Sequence, residues 1–300
     1  MNGISTDNAF INKPLAFPAP AKINLFLHII GQRKDGYHNL ETLFQFLDYS
    51  DTITLTVTNN PKIELLTPIT NVNNEDNLII KAAQLLKKKS KTPFGVNITI
   101  DKVLPMGGGL GGGSSNAATI LMALNTLWQC NLTKQALADL GLSLGADVPI
   151  FIHGFSAFAQ GVGEQLSAVQ PNEDWYLVTK PECSISTQQV FKSRDLPRNT
   201  RKLSAKTLQT KDFINENFHN DCQTLVIKNY PEVAKLLAWL LEYAPSRMTG
   251  TGACIFTRFS SQEEALALQE KIPKGISSFV ARGVNKSPLN SVLEQLTLND

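Results

Sequence analysis

The sequence predicts an α+β protein with mixed or antiparallel sheets, organised in two domains. Stretches with the period of a β-strand and stretches with helical spacing follow one another without the strict strand–helix–strand order of parallel folds. The chain has 300 residues. A single hydrophobic core stops growing at roughly 250–300 residues, which favours two domains. The third observation is a glycine-rich run at 104–118, between a predicted strand and a predicted helix.

The secondary-structure elements can be placed in order along the chain. Residues 1–18 are polar and contain prolines, and we expect an arm without regular structure there. Alternating apolar residues predict strands at 21–30, 41–50, 51–60, 96–102, 175–180 and 277–284, a strand and turn in 155–164, and a strand–turn–strand unit in 246–259. Helical spacing predicts helices at 77–90, from the glycine run through Trp128, and at 133–144, 187–192, 214–228, 231–243 and 261–272. Asn77 and Thr133 are the expected N-caps of two of these helices.

A change of composition near 161–172 suggests where the two domains meet. We expect an N-terminal domain at 19–165 and a C-terminal domain at 166–300, after the polar arm of residues 1–18.

Composition excludes several classes of protein. Apolar residues make up 42% of the chain and charged residues 18%, so a wholly disordered chain is excluded. Lys and Arg number 28 against 26 Asp and Glu, and this balance predicts no nucleic-acid partner held by bulk charge. No apolar run approaches the ~20 residues that span a bilayer, so no membrane partner is expected.

The cysteines and the N-terminus predict a cytoplasmic protein. Cys130, Cys183, Cys222 and Cys254 are widely spaced and form no CxxC pair, which disfavours a zinc site or a disulfide framework. The N-terminus lacks a basic start followed by an apolar stretch, so no secretory signal is predicted. We also expect a monomer.

The most informative segment is LPMGGGLGGGSSNAA at residues 104–118. Glycine lets the backbone approach a ligand closely. The start of the following helix offers free N–H groups and a positive dipole end. Ser114 and Ser115 add hydroxyl groups, and the whole segment predicts a cradle for a polyphosphate.

Two other readings of the glycine run stay open. It lacks the lysine of the P-loop pattern GxxxxGK[ST]. Gly107, Gly109 and Gly112 match the dinucleotide pattern GxGxxG, but no acidic residue lies about 20 residues further on to bind a ribose. A nicotinamide-dependent oxidoreductase and a glycine-rich turn without a ligand are therefore weaker alternatives.

Two shorter motifs have ambiguous meanings by themselves. Asp147, in GADVPIF at 145–151, is either the N-cap of a helix or a catalytic acid or base. TGTGAC at 249–254 reads as a glycine turn between two strands.

Taken together and in this order, the motifs resemble the GHMP kinase superfamily. The matching segments are AKINL at 21–25, the glycine run, and MTGTGACIF at 248–256. PAKINLFLHIIGQRKDGYHNLET at 20–42 and LGADVPIF at 144–151 are similar to a branch that acts on a cytidine diphosphate-linked polyol. The resemblance extends from about residue 19 to about residue 290.

The resemblance implies a fold and a reaction. The fold would be the two-domain GHMP kinase fold with the active site in the inter-domain cleft. The enzyme would transfer the γ-phosphoryl group of ATP, with Mg²⁺, to the tertiary 2-hydroxyl of the CDP-linked polyol in non-mevalonate isoprenoid precursor synthesis. A homoserine or mevalonate type of kinase is the alternative, and a non-catalytic binding member of the fold is a further one.

The resemblance also implies the catalytic residues. A hydroxyl acceptor needs a proton acceptor within hydrogen-bond reach, and the family pattern gives that role to Asp147. Lys22 would lie beside Asp147, where an ammonium favours the ionised carboxylate and stabilises developing negative charge. Asn24 lies two residues after Lys22, hence on the same strand face, and would bind the polyol.

The remaining site residues follow from the same resemblance. Tyr37 would stack on the cytosine, His38 would bond its edge, Phe191 would be a second stacking wall, and Thr187 would contact the substrate. Asn77, Lys102 and Met106 resemble adenosine-site positions, and Met106 would make an apolar contact with adenine or ribose. The residues expected to hold the rest of ATP are Pro105, Met106, Gly107, Gly108, Gly109, Leu110, Gly111, Gly112, Gly113, Ser114 and Ser115. Ser115 is also a candidate Mg²⁺ contact, but the metal ligands stay unassigned.

Overall fold

The computed structural model describes residues 8–69, 72–73, 75–204, 207–213, 215 and 218–298. The strands are β1 (Pro14–Gln32), β2 (His38–Thr58), β3 (Ile63–Leu65), β4 (Gly95–Asp101), β5 (Ala157–Gln160), β6 (Gln165–Ala168), β7 (Trp175–Lys180), β8 (Ser246–Met248), β9 (Ile255–Phe259) and β10 (Ser277–Val284). The α-helices are α1 (Leu78–Ser90), α2 (Gly112–Leu127), α3 (Lys134–Leu142), α4 (Val148–His153), α5 (Thr187–Lys192), α6 (Asp221–Asn229), α7 (Pro231–Leu241), α8 (Gln262–Gln269) and α9 (Pro288–Leu298).

The strands form a mixed sheet that runs through both halves of the chain, and this confirms the α+β prediction. Its order is β3–β4–β2–β10–β7–β9–β8, with β1 and β5 also paired to β2 and β6 paired to β5. The β3–β4 pair is parallel, while β1 and β2 form a long antiparallel pair. The two halves of the sheet join where Gly283 and Val284 pair with Leu47 and Phe46.

Three apolar clusters fill the interior. The first lies between the early strands and the helices α1 to α4. The second lies around β1, β7 and the end of the 195–213 connection, and the third packs α6, α7 and α8 against the late strands. No helix within the described ranges is both long enough and apolar enough to cross a membrane.

The capping predictions are confirmed. Asn77 Oδ1 accepts a hydrogen bond from the amide of Ile79 at 3.0 Å. Thr133 Oγ1 accepts one from Ala136 at 3.2 Å. Both are N-caps, of α1 and α3.

The structure differs from the sequence predictions at both ends of the chain. Part of the expected arm is regular, because β1 begins at Pro14 and Phe17 is fully buried; residues 1–7 lie outside the described residues. The predictions missed α9, whose Leu289 packs in the first cluster. Pro288 at a helix start, followed by apolar residues at 289, 292, 293 and 296, is the signal that predicts this helix.

Two internal predictions were also wrong. The strands expected at 41–50 and 51–60 are one strand, β2, because its successive parts pair with β5, β10 and β4. The helix expected at 214–228 begins only at Asp221, where Asn220 caps it. Residues 214, 216 and 217 lie outside the described residues.

Candidate active site

A cavity of about 590 Å³ lies where the two halves of the chain meet. The first half contributes the glycine run, β1 and the start of α4, and the second half contributes α5 and the turn after β8. Its polar and glycine lining includes Lys22, Asn24, Asn77, Lys102, Gly107 through Gly109, Gly111 through Ser114, Asn116, Asp147, Thr187, Gly250 and Thr251. The sequence-predicted residues Pro105, Met106, Leu110 and Phe191 line it as well.

Close backbone contacts fix the shape of the glycine run. Gly109 has a φ of +77°, and a Cβ there would lie 2.3 Å from the carbonyl oxygen of Thr249. Gly111, with a φ of +72°, is the N-cap of α2, and a Cβ there would lie 2.8 Å from the Phe151 ring. No other residue type fits these two positions without displacing its neighbours.

The first turn of α2 faces the cavity with Gly112, Gly113 and Ser114. Amides in a helix's first turn have no partner within the helix and carry partial positive charge, which suits a phosphate. Ser115 does not fit its predicted role as a phosphate or metal contact. Its side chain is fully buried and its Oγ has no partner among the described residues, because one step along the helix rotates it away from Ser114 and into the core.

Lys22 and Asp147 come together at the cavity, as the sequence predicts. The Nζ of Lys22 lies 3.4 Å from Oδ2 of Asp147. It also donates to Oδ1 of Asn24 at 2.7 Å and to the carbonyl of Gly109 at 3.0 Å. The ring centroid of Phe44 lies 5.2 Å away. These four neighbours hold a buried ammonium in one place.

The carboxylate of Asp147 is available for chemistry. Asp147 is the N-cap of α4, yet its carboxylate accepts no hydrogen bond from the amides of that helix, all of whose residues are described. Its side chain is 37% exposed, against 3% for Lys22. The sequence left capping and catalysis open for this residue, and its side chain makes no cap hydrogen bond.

Irregularities in β1 orient the two polar side chains that face the cavity. The pairing of β1 with β2 shifts between Pro20 and Lys22 and again between Asn24 and Phe26. Such shifts re-aim side chains and are over-represented beside active sites. Asn24 Nδ2 in turn donates to Thr42 Oγ1 at 2.8 Å, so its amide orientation is fixed.

The side of the cavity formed by α5 has a hydroxyl and an aromatic ring. Thr187 and Phe191 lie four residues apart on one helix face, and Thr187 Oγ1 lies 2.9 Å from Thr251 Oγ1. The ring of Phe191 lies 5.3 Å from that of His38. Burial, and then the positive charge of Arg198, lower the pKa of His38 below its usual value, so the ring is neutral near pH 7.

His38 and Tyr37 differ in how they relate to the cavity. Arg198 Nε donates to Nε2 of His38 at 3.0 Å, and the His38 side chain is buried behind Phe191. Tyr37 is 63% exposed. Neither is among the described residues that line the cavity.

Asn77 and Lys102 also line the cavity. Asn77 is buried, and its Nδ2 has no partner among the described residues. Met106, predicted to contact adenine or ribose, is 49% exposed at the rim. An amide donor inside the cavity and an apolar side chain at its rim fit a nucleoside.

Sequence reasoning missed a buried carboxylate that pairs with Lys102. Asp51 is fully buried, and its Oδ2 accepts from Lys102 Nζ at 2.7 Å. Its Oδ1 accepts from the amides of Val103 and Leu104 at 2.9 and 2.8 Å. Asn116, with its amide nitrogen turned toward Asp51, adds a contact of 3.1 Å from α2. Asp51 therefore links the start of the glycine run to α2, the helix that follows the run.

No cluster of three or more His, Cys, Asp or Glu side chains that could hold a metal occurs within the described part of the chain. Mg²⁺ in nucleotide enzymes commonly uses one or two protein oxygens together with the phosphates, and the hydroxyl of Ser114 and the carboxylate of Asp147 line the cavity.

Comparison with known proteins identifies the family of the chain. Residues 77–155 match the N-terminal domain of GHMP kinases and residues 206–277 match their C-terminal domain. A protein named 4-diphosphocytidyl-2-C-methyl-D-erythritol kinase, from Colwellia psychrerythraea strain 34H, is 71% identical over 300 residues, which are 100% of both chains.

Solved structures of related kinases resemble the chain as well. A crystal structure of 4-(cytidine 5'-diphospho)-2C-methyl-D-erythritol kinase matches with a TM-score of 0.79 and 29% identity, over 90% of this chain and 99% of that one. The L. major mevalonate kinase in complex with R-mevalonate matches with a TM-score of 0.68 and 17% identity, over 94% and 99% of the two chains. The latter likeness concerns the fold alone. The chain belongs to the GHMP kinase family, and it is an ATP-dependent kinase.

Proposed function

We propose that this kinase transfers the γ-phosphoryl group of ATP to the 2-hydroxyl of 4-diphosphocytidyl-2-C-methyl-D-erythritol, giving the 2-phosphate and ADP. The reaction is a step of non-mevalonate isoprenoid precursor synthesis. The relative that is 71% identical over the whole chain bears the name of this kinase. The structural observation that carries the proposal is the Lys22–Asp147 pair, 3.4 Å apart at the wall of the cavity.

Asp147 is the proton acceptor in this proposal. As the acceptor oxygen forms its bond to phosphorus, the hydroxyl proton passes to the carboxylate of Asp147, and the bond to the ADP oxygen breaks. Lys22 stabilises negative charge on the acceptor oxygen, and because its ammonium is already fixed, little reorganisation accompanies the reaction. Asn24, bonded to the same ammonium, orients the polyol.

The glycine run and the first turn of α2 bind the phosphates of ATP, and Asn77, Lys102 and Met106 bind its adenosine. Mg²⁺, which neutralises phosphate charge when bound, would use the hydroxyl of Ser114. Ser114 replaces Ser115 in this role because Ser114 is the one that faces the cavity.

Thr187 and Phe191 bind the cytidine end of the substrate, with His38 behind them. Phe191 supplies a stacking face, since base–aromatic stacking is worth about 1–3 kcal/mol. Tyr37 lies next to His38 on the exposed loop between β1 and β2. In this proposal it reaches the base by movement of that loop.

We further propose a monomer in a reducing, cytoplasmic compartment. The four cysteines are all free, which suits such a compartment. Size-exclusion chromatography with light scattering measures the oligomeric state.

The function is tested by incubating the protein with ATP, Mg²⁺ and 4-diphosphocytidyl-2-C-methyl-D-erythritol and following ADP release. Mevalonate and homoserine are run in parallel, and the phosphorylated product is identified by ³¹P NMR. The expected result is turnover with the CDP-linked substrate alone. Turnover with mevalonate or homoserine instead would contradict the proposal and support another kinase of the family.

A further inference from the structure

The edge of β1 that faces away from β2 is covered by groups from distant parts of the chain. Four backbone amides along it donate hydrogen bonds of 2.6–3.0 Å to acceptors outside the sheet. The donor and acceptor pairs are Lys22 with the Leu110 carbonyl, Asn24 with Thr249 Oγ1, Leu27 with the His219 carbonyl, and Ile29 with Asp221 Oδ2. An edge strand with several amides used in this way holds its covering segments in a fixed register.

The shift of register between Asn24 and Phe26 changes which amides face this edge. Before the shift the outward amides belong to residues 22 and 24, and after it to residues 27 and 29. One part of the edge thus holds the glycine run and the turn after β8. The other part holds residues 219–221, which we call the 219–221 segment.

Asn220, at the centre of the 219–221 segment, uses its whole amide group. Its Oδ1 accepts from the amide of Cys222 at 2.9 Å and so caps α6. Its Nδ2 donates to the carbonyls of Met248 at 2.7 Å and Gly250 at 2.8 Å. The side chain is only 3% exposed, so these bonds are shielded from water.

The two carbonyls that Asn220 binds flank Thr249, the residue that links the turn to the reacting groups. Thr249 Oγ1 accepts from the amide of Asn24 at 2.9 Å and donates to the carbonyl of Gly109 at 3.4 Å. That same carbonyl accepts from Lys22 Nζ at 3.0 Å. Hydrogen bonds, joined by the backbone of the turn at 248–250, therefore lead from Asn220 to the ammonium beside Asp147.

We propose that Asn220 is a positioning residue for phosphoryl transfer. It holds the turn at 248–252 in the register that places Thr249 against Asn24 and Gly109, and thereby holds the Lys22 ammonium in place beside Asp147. Asn220 does not line the cavity formed by the described residues, so it acts through the turn. This role rests on the proposed function, because it concerns the same reaction.

The test separates the two functions of the Asn220 side chain. Asn220→Ser keeps an oxygen that can cap α6 but removes both hydrogen bonds to the turn. We expect kcat to fall about tenfold to hundredfold, since small misplacements of reacting groups have effects of that size. KM for ATP is measured alongside and is expected to rise as well, because Thr249 also contacts the Gly109 carbonyl of the glycine run.

The matched control removes a helix cap far from the cavity. Ser261 caps α8, where its Oγ accepts from the amide of Glu264 at 3.3 Å. Ser261→Ala is expected to lower Tm while leaving kcat unchanged. Assays are run well below the Tm of each variant, so that a loss of folded protein does not imitate a loss of kcat.

A second pair of variants approaches the same turn from its other side. Thr249→Val keeps the side-chain shape and removes the hydroxyl, and we expect a similar loss of kcat. Thr249→Ser keeps the hydroxyl, and we expect it to retain most of the activity. If Asn220 and Thr249 act through one arrangement, the kcat losses of Asn220→Ser and Thr249→Val will be less than additive.

Hydrogen exchange supplies a readout that does not depend on activity. The amide of Gly252 donates to the Thr249 carbonyl at 3.0 Å. In Asn220→Ser we expect faster exchange of the peptide that contains residues 248–254, and unchanged exchange in α3.

The outcomes distinguish this inference from the proposed function. If the wild-type protein turns over the CDP-linked substrate and folded Asn220→Ser has the same kcat, the positioning role is overturned. If Asn220→Ser and Thr249→Val lower Tm additively but leave kcat unchanged, the positioning role is overturned as well. Absence of wild-type turnover, with faster exchange at 248–254 in the variant, would contradict the proposed reaction and leave the turn contacts of Asn220 in place.

Discussion

The two sides of the cavity are built in different ways. The phosphate side is one continuous segment, 104–118, which enters at the end of β4 and continues into α2. The side that receives the acceptor is assembled from β1, the start of α4, the 219–221 segment and the turn after β8. A local motif can therefore specify the first side, whereas tertiary contacts specify the second. A substitution on the second side consequently disturbs contacts with several separate segments.

The largest effect is expected where these two sides meet. Lys22→Met removes the ammonium that binds Asp147, Asn24 and the Gly109 carbonyl, and we expect kcat to fall about 10²–10³-fold, as for loss of one preorganised charge donor. Lys228→Met is the control, because its ion pair with Asp195 is exposed and such pairs contribute only about 0–1 kcal/mol to stability. Equal kcat in Lys22→Met and wild type would remove Lys22 from the mechanism.

The next effect tests the continuous segment where it contacts the turn after β8. In Gly109→Ala a Cβ would lie 2.3 Å from the Thr249 carbonyl, at a φ of +77°. Gly36→Ala has the same kind of strain at a φ of +89° but meets nothing within 4 Å. Backbone strain alone amounts to about 1–3 kcal/mol.

We therefore expect Gly36→Ala to lose that much stability and keep its KM for ATP. Gly109→Ala should lose more stability and also bind ATP more weakly. Chemical denaturation and calorimetric titration of ATP measure the two quantities. Identical losses in the two variants would show that the close contact at Gly109 is unimportant.

A smaller effect is expected at the cytidine end. Phe191→Ala should raise KM for the CDP-linked substrate by about tenfold, since loss of a stacked ring is worth about 1–3 kcal/mol. Phe191→Tyr keeps a stacking face and should retain the wild-type KM. Tyr37→Ala is compared under the same conditions, and a rise in its KM would show that the loop brings Tyr37 to the base. If Phe191→Ala has the wild-type KM, the cytosine is bound elsewhere.

The smallest effect concerns stability and pH at the far end of the β1 edge. Burial lowers the pKa of His28 to about 4, with smaller lowering contributions from His219 and Arg247 and an opposing one from Asp221. The unfolded chain, with a histidine pKa near 6.5, binds more protons than the folded protein between these two values. Folding stability is therefore expected to fall as pH decreases from about 6.5 toward 4, with a slope of at most about 1.4 kcal/mol per pH unit from this residue.

His28→Gln removes this titration and offers an amide oxygen to the His219 amide, which donates to Nε2 of His28 at 3.3 Å. Urea denaturation between pH 4 and 7 compares the two proteins. The variant should lose less stability on acidification than the wild type. Parallel curves would show that His28 does not titrate in this range.

The continuous side of the site could be predicted almost fully from the sequence. The glycine run follows from local composition and spacing. On the other side of the cavity, the common strand face of Lys22 and Asn24 also follows from local spacing. Ser115 is the exception, because a one-residue step along α2 decides which hydroxyl faces the cavity, and the sequence does not fix the rotation of that helix.

The assembled side could be predicted only in part. The family resemblance brought Asp147 next to Lys22, but Asp51, Thr249 and Asn220 carry no local signal of their roles. Their importance comes from contacts across long stretches of sequence, such as the 225 residues that separate Asn24 from Thr249. The change of register within β1 likewise depends on the distant segments that pack along its edge. The local sequence of β1 does not specify those segments.

The most direct test of this account is the rate of the chemical step in Asp147→Asn. Rapid-quench measurement of a single turnover gives the phosphoryl-transfer rate with ATP, Mg²⁺ and the CDP-linked substrate, and calorimetry gives ATP affinity. We predict a rate at least about 10²-fold below wild type, with ATP affinity changed by less than about threefold. A wild-type rate in the folded variant would contradict the assignment of Asp147 as the proton acceptor.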